Sequence, residues 1–499
     1  MRRLSLFLAG LLLGFAVTIG QNVPIYYSQR VESSSRYQSG NAFQKDLLLY
    51  VDMLLTTHPH YADFKRQKAL KRREQSLYKR CGKMVDTTQF KACLAGLASS
   101  LNDGHTSVSW LSSFESVFPI MFSIDTDSPA IVDICTEEHK WLLGRQIAKI
   151  NGKSITQILN RAQSLISADN DAYFNKSVRE YLVFPQFWSL LGMSDKIMEL
   201  TLVGGEKVAI AATDRNYLLK NMVQRQADVD NRVTSKRDAL FDYTIYEDKG
   251  ICYLQFNQFA DRLTQPNYPQ LARFDEFICE MMEQIDKKSI QTLVVDLQYN
   301  GGGNSTLGDV LLSWLHPHRD TKRYGVDIRL SELLYLFYPY YKNFTIDNQP
   351  ISVGEVYDMY RFDQNRELKV DYNAPQDSSR HIFNYDDEKI FKGNVVFVQG
   401  KDSFSSATML LTLARDNGIG VIVGEPSGGK PSHYGDVLYC TLPNTKSLVT
   451  VSHKHFVRPN RAIGDLAYVI PDVSIKLNDP DKDLVWDWIV ENYDINRLK

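Results

Sequence analysis

Residues 394–436 read NVVFVQGKDSFSSATMLLTLARDNGIGVIVGEPSGGKPSHYGD. Their order of residue types is strand, tight turn, helix, strand, glycine-rich loop. Asn394 to Val398 is a short β-branched run suited to a buried strand, and Gly400, Lys401 and Asp402 interrupt it. From Ser405 on, Met409, Leu410, Leu413 and Ala414 recur at helical spacing. Asn417-Gly418 ends that helix, glycine tolerating the left-handed cap, and Val421 to Val423 form the next strand. Ser405 or Ser406 thus stands where a strand hands over to a helix N-terminus. Unpaired backbone N–H groups and the positive end of the helix dipole point at that place. A serine there caps the helix or acts as a nucleophile, and spacing alone favours the cap.

Before this stretch, Gln291 to Leu297 is a near-continuous apolar strand of the kind covered on both faces in an α/β sheet. It runs into Asn300-Gly301-Gly302-Gly303 and a helix from Thr306 to Leu315. Gly250 to Phe256 alternates as a strand, and Leu271 to Ile285 is an amphipathic helix. Residues 331 to 382 are unusual: Leu333 to Phe344 holds six aromatic residues and reads as a helix broken at Pro339 or as a groove wall.

The expected organisation is a signal segment over 1–20, a linker over 21–40, a helical segment over 41–112 and a small strand-rich module over 113–212. A connector over 213–246 and a core domain over 247–499 complete it. In the module, the stretch from Leu143-Gly144 to Ile150-Asn151-Gly152 resembles the second half of a PDZ domain, a fold that adds a peptide as an extra strand. The N-terminus has Arg2 and Arg3 ahead of an apolar run, Leu4 to Ile19, which is short for a membrane span and suits an export signal. Export implies a periplasmic, cell-surface or secreted protein, with membrane association expected only through this segment.

The 499 residues are 43% hydrophobic and carry a formal net charge of -2, so no global field selects nucleic acid or anionic lipid. The basic run Lys65 to Arg73 reads as a solvated helix face. Six cysteines are too few for a disulfide-built scaffold. Cys81 and Cys93 are near enough in sequence to pair, and Cys135, Cys252, Cys279 and Cys440 read as buried thiols. No metal-ligand spacing occurs, so neither a metal nor another cofactor is expected.

Four short elements sit where turns meet helices or strands: Asp103-Gly104-His105, Asn300 to Gly303, Ser405 to Thr408, and Gly424 to Lys430. Together with the closing Ile470-Pro471-Asp472 they resemble the C-terminal processing (tail-specific) serine peptidase superfamily, which includes the core of tricorn protease. That resemblance implies an α/β fold with a crotonase-like (ClpP/crotonase-type) β/α core and a PDZ-like module. It further implies a serine peptidase acting on peptides or proteins through an acyl-enzyme.

By the same resemblance Ser405 is the nucleophile. Two bases compete for its proton. Tail-specific members use a lysine in the glycine-rich loop, here Lys430, 25 residues after Ser405, and carry a glutamate where this chain has Thr408. Tricorn-like members use a histidine, matched by His105, oriented by an acid about sixty positions after the serine. Asp465 is nearest that place, with Asp472 and Asp103 as alternatives. A lysine must fall roughly 3 pKa units, about 4 kcal/mol, to act near neutral pH, whereas histidine needs almost no shift. The oxyanion donors implied are the N–H of Ser406 and those of Gly302 or Gly303, where glycine allows close backbone approach. The competing reading is a non-catalytic peptide- or ligand-binding protein on the same fold.

Overall fold

The computed structural model describes residues 23–109, 116–124, 129–134, 136–214, 239–363, 380–477 and 482–496. The expected signal segment, Trp110 and Cys135 lie outside them. The described chain forms two compact units. One takes the residues before 230 with Asp327–Asp363 and Tyr434–His455; the other takes the remainder.

The second unit is built on a six-stranded sheet. Its strands are β1 (Phe241–Tyr246), β2 (Ile251–Phe256), β3 (Thr292–Asp296), β4 (Asn394–Gln399), β5 (Val421–Gly424) and β6 (Val473–Ser474), in spatial order β6-β5-β4-β3-β2-β1. All neighbours are parallel except β1, which pairs antiparallel with β2 over six residues. Both faces are covered, as the apolar runs require. Cys252, Leu254, Leu293, Val295, Val395 and Phe397 face a core shared with helices α1 (Phe274–Lys287), α2 (Thr306–Ser313) and α3 (Ser406–Asn417). Ile251, Tyr253, Val294, Val396 and Val398 point the other way, onto Val485 and Ile489 of α4 (Leu484–Tyr493). This is a mixed α/β layer structure whose strand C-terminal ends lead directly into the loops that carry Asn300–Gly303 and Ser405.

The first unit has two cores. One belongs to a module closed by the short pair Ser116–Val117 and Thr213–Asp214. It contains a three-stranded antiparallel sheet (Ile147–Ile150, Ile197–Leu202, Lys207–Ala211), a two-stranded one (Ile120–Ser123, Ala130–Ile134), and helices Ile155–Ala162, Asp171–Tyr181 and Pro185–Leu190. Asn151 and Gly152 both have positive φ in a tight turn closed by Ile150 and Lys153, the backbone such a turn demands. The other core packs helices Ala42–Thr57 and Thr87–Ser99 with Ile328, Leu330, Leu333, Leu334, Leu438, Cys440, Val449 and Val451.

Within the stretch read as a connector, Phe241, Tyr243 and Ile245 alternate with polar residues and form edge strand β1. Residues 327–363 and 434–455, within the stretch read as the core domain, group with the N-terminal unit, their apolar side chains buried among its helices. Cys81 and Cys93 are not bonded but are separate buried thiols at a helix end and inside the next helix. The aromatic stretch behaves as read, with helix Glu332–Phe337 giving way at Pro339 to a 3-10 turn. Among the described residues no helix is long and apolar enough to cross a membrane.

Candidate active site

In the second unit the chain leaves β4 at Gln399 and turns sharply before α3. The turn is tied to the end of β3: Ser403 Oγ donates to Leu297 O at 2.8 Å, and Phe404 N–H donates to Asn300 O at 3.0 Å. Ser405 follows at φ 54°, ψ −123°. That backbone costs a non-glycine residue about 1–3 kcal/mol and is held only where its surroundings impose it. Strand, strained serine, helix is the geometry of a nucleophile elbow. Although Ser405 occupies the N-cap position of α3, its side chain makes no capping bond. Ser406 is different: its Oγ donates to Gly303 O at 2.7 Å.

The glycine turn lies against this elbow. A Cβ on Gly302 would stand 2.7 Å from Ser405 Cβ and 2.9 Å from both Phe404 O and Ser406 N. Gly302 also has φ +100°, so the position is closed to other residues on two counts. Its N–H donates to Asn300 Oδ1 at 2.8 Å, and Asn300 is fully buried with its amide on Phe256 O.

The second glycine loop is docked on the same turn. Gly428 and Gly429 donate their N–H groups to Ser403 O at 3.0 and 3.3 Å. Thr408 Oγ1 reaches the same carbonyl at 3.1 Å. A Cβ on Gly429 would lie 2.5 Å from Thr408 Oγ1, and Thr408 is packed and buried there. Lys430 follows, half-buried, its carbonyl 3.1 Å from His433 Nδ1. Asp465 is exposed, beyond the turn Arg461–Ile463. Asp472 is structural: its carboxylate accepts from Ile422 N at 2.8 Å and pairs with Arg415 at 3.1 Å, joining the segment before β6 to β5.

His105 lies in the first unit, on the turn after helix Thr87–Ser99. The turn is fixed to a neighbouring strand through Thr450 Oγ1 on His105 O at 2.8 Å and a bridge between Val108 and Val449. Fully buried Asp103 organises it. Asp103 Oδ1 accepts the His105 N–H at 2.9 Å and stands 3.6 Å from His105 Nδ1. Asp103 Oδ2 accepts Thr106 Oγ1 at 2.5 Å and Ser452 Oγ at 2.7 Å, and His58 Nε2 is 3.1 Å away. Burial opposes the charged form of Asp103, but the imidazoles of His105 and His58 beside it outweigh that and hold the carboxyl well below its usual range. Burial likewise opposes charge on His105. The carboxylate of Asp103 close to its ring, with the charges of Asp169 and Asp436, overcomes it and raises its pKa.

Asp103, His105 and Asp169 bring possible ligand atoms within 4.8 Å of one another. Asp103 already accepts several donors of its own turn, however, and Asp169 Oδ1 accepts Gly104 N–H at 2.7 Å. These atoms are engaged in building the turn, so the set is a poor fit for an ion.

The structure therefore brings Ser405, Ser406, Gly302, Gly303 and the Lys430 loop together in one unit and pairs His105 with Asp103 in the other. His58, Ser452 and Asp436 were not singled out by the sequence. They lie 45, 349 and 333 positions from Asp103, beyond any local periodicity.

Residues 250–475 match the model of peptidase family S41. A search of curated proteins by sequence finds no match. Among solved structures, mature CPAF is 14% identical, with 88% of this chain and 93% of that one covered and a TM-score of 0.57. A serine-to-alanine mutant of CPAF is 14% identical over 89% and 93%, with a TM-score of 0.59. The photosystem II D1 C-terminal processing protease is 14% identical over 87% and 93%, with a TM-score of 0.39. Residues 250–475, a little under half of the chain, thus carry the pattern of peptidase family S41, and the chain shares its fold with mature CPAF.

Proposed function

We propose that the protein is an exported serine peptidase that works through an acyl-enzyme formed on Ser405. The observation that carries this reading is the strained Ser405 backbone at the start of α3, with a side chain that does not cap the helix. Such strain has no structural use at a helix N-terminus, where an ordinary cap is available. Ser405 Oγ attacks the peptide carbonyl carbon while His105 takes its proton and later returns it to the leaving amine; water then hydrolyses the ester by the same route. His105 is preferred to Lys430 because an imidazole titrates near neutrality, and because the position that would hold an orienting glutamate is Thr408. Asp103 is the orienting acid we favour over exposed Asp465.

The oxyanion donors in this reading are the N–H groups of Ser406 and Gly303, that of Gly302 being committed to Asn300. The β/α core is read as crotonase-like and of the tricorn-core-like branch, and the 116–214 module as PDZ-like, a candidate for receiving a chain end. No role for nucleic acid or a cofactor is proposed. Hydrolysis of a quenched fluorescent peptide library tests the function: activity in the wild type that disappears in both Ser405→Ala and His105→Ala supports it. Activity surviving in folded Ser405→Ala refutes it.

A further inference from the structure

A second histidine, which the mechanism above leaves unused, reaches into the turn that holds His105 from another element. His58 ends helix Ala42–Thr57 and opens the 3-10 turn Pro59–Ala62, and it is fully buried. Its Nδ1 accepts the backbone N–H of His60 at 3.1 Å. That nitrogen therefore carries no proton, and the neutral ring must hold its proton on Nε2. Nε2 lies 3.1 Å from Asp103 Oδ2 and so is the donor. The ring is held in place by Tyr434, with centroids 4.5 Å apart, and by Arg329 Nη1 on the His58 carbonyl at 2.9 Å.

We propose that His58 is a positioning residue for the general base: its Nε2–H fixes the Asp103 carboxylate in the orientation from which Asp103 holds His105. This rests on the reading of His105 as the base. A donor locked in one tautomer suits that task better than a hydroxyl, which rotates. Asp103 already has two hydroxyl donors, Thr106 and Ser452. Other titratable groups face the array and share its field: Asp169 and Asp436 toward His105, Tyr50 and Tyr173 toward Asp103, and His60 beside His58.

Two substitutions separate positioning from folding. His58→Asn keeps an acceptor for the His60 N–H but is too short to reach Asp103. His58→Gln can place an amide N–H on Asp103 but gives up the cap. The readout is the rate of labelling by a fluorophosphonate as a function of pH, per folded molecule, for the wild type, both variants and His105→Ala. His58→Asn is expected to label about tenfold more slowly. Its acid limb should move to higher pH, because a carboxylate that loses a donor becomes a stronger base toward His105. His58→Gln should keep the wild-type limb and lie within about threefold of the wild-type rate. A His58→Asn variant with the wild-type rate, or slowed with an unmoved limb, overturns the positioning role, as does a larger loss in His58→Gln. If His105→Ala labels at the wild-type rate, the base reading itself has failed and the proposal falls with it. A slow His105→Ala beside an unaffected His58→Asn removes His58 alone.

Discussion

Replacing Gly302 by alanine puts a methyl group 2.7 Å from Ser405 Cβ and 2.9 Å from Phe404 O and Ser406 N. Carbon atoms in contact prefer about 3.5–4.0 Å, so the elbow or the glycine turn must yield by about 1 Å. The substitution also forces a side chain onto a backbone at φ +100°, at a cost of about 1–3 kcal/mol. A displacement of this size at a reacting atom lowers rate by roughly 10²-fold. We therefore expect Gly302→Ala to be folded, to melt a few degrees lower, and to react with a fluorophosphonate about 100-fold more slowly than the wild type. Gly301→Ala is the internal control. That residue is exposed, has no positive φ, and a Cβ there meets nothing within 4 Å, so its labelling rate and melting temperature should match the wild type. Equal labelling rates for the two variants would refute the argument, because the elbow would then not depend on the glycine that confines it.

Ser405→Gly should abolish labelling yet raise unfolding stability by about 1 kcal/mol, since glycine accepts φ 54° without strain; a less stable variant in denaturant titration would count against strain at the nucleophile. Because the His105 pKa is raised and the base must be neutral, kcat/KM should rise with pH through a limb above the ordinary histidine value of about 6.5. Asp436→Asn removes one carboxylate that contributes to that shift, so its limb should lie at lower pH than the wild type's. By linkage, the stability that His105 gains from its raised pKa is full below the unfolded value and fades as pH rises through the folded one. The Asp103 contribution, from a lowered pKa, is present above the usual carboxylate range and is lost on acidification; chemical denaturation across pH reads both. Lys430→Ala should keep activity within about tenfold of the wild type while His105→Ala loses most of it, and the reverse order in peptide hydrolysis would transfer the base to lysine.

The parts of the site that are local in sequence could be read from it. Strand, glycine turn and helix around Ser405 form within one run of residues, and the double-sided apolar pattern of Gln291 to Leu297 announced a covered sheet. Spacing alone left Ser405 and Ser406 open, and only the resemblance pointed to Ser405. That the Ser406 hydroxyl meets Gly303 O could not be read, because the contact is made across 103 positions. Edge strand Phe241–Tyr246 was hidden by the charged residues before it, although its alternation is plain once its partner strand is known. The division of the chain was hidden for a similar reason: Leu438 and Val449 share a core with helix Ala42–Thr57 because all are apolar, and apolarity does not name its partner. The Asp103 array is the same case in polar form. Each donor is an ordinary turn or cap residue, and only convergence on one buried carboxylate gives it a role.

The most direct test of the central claim is to treat the intact protein with a fluorophosphonate and map the adduct by mass spectrometry, comparing the wild type with Ser405→Ala and His105→Ala. A single adduct on Ser405, absent from Ser405→Ala and formed far more slowly in His105→Ala, is what the account predicts. An adduct on another residue, or one that forms at the same rate without His105, would contradict it.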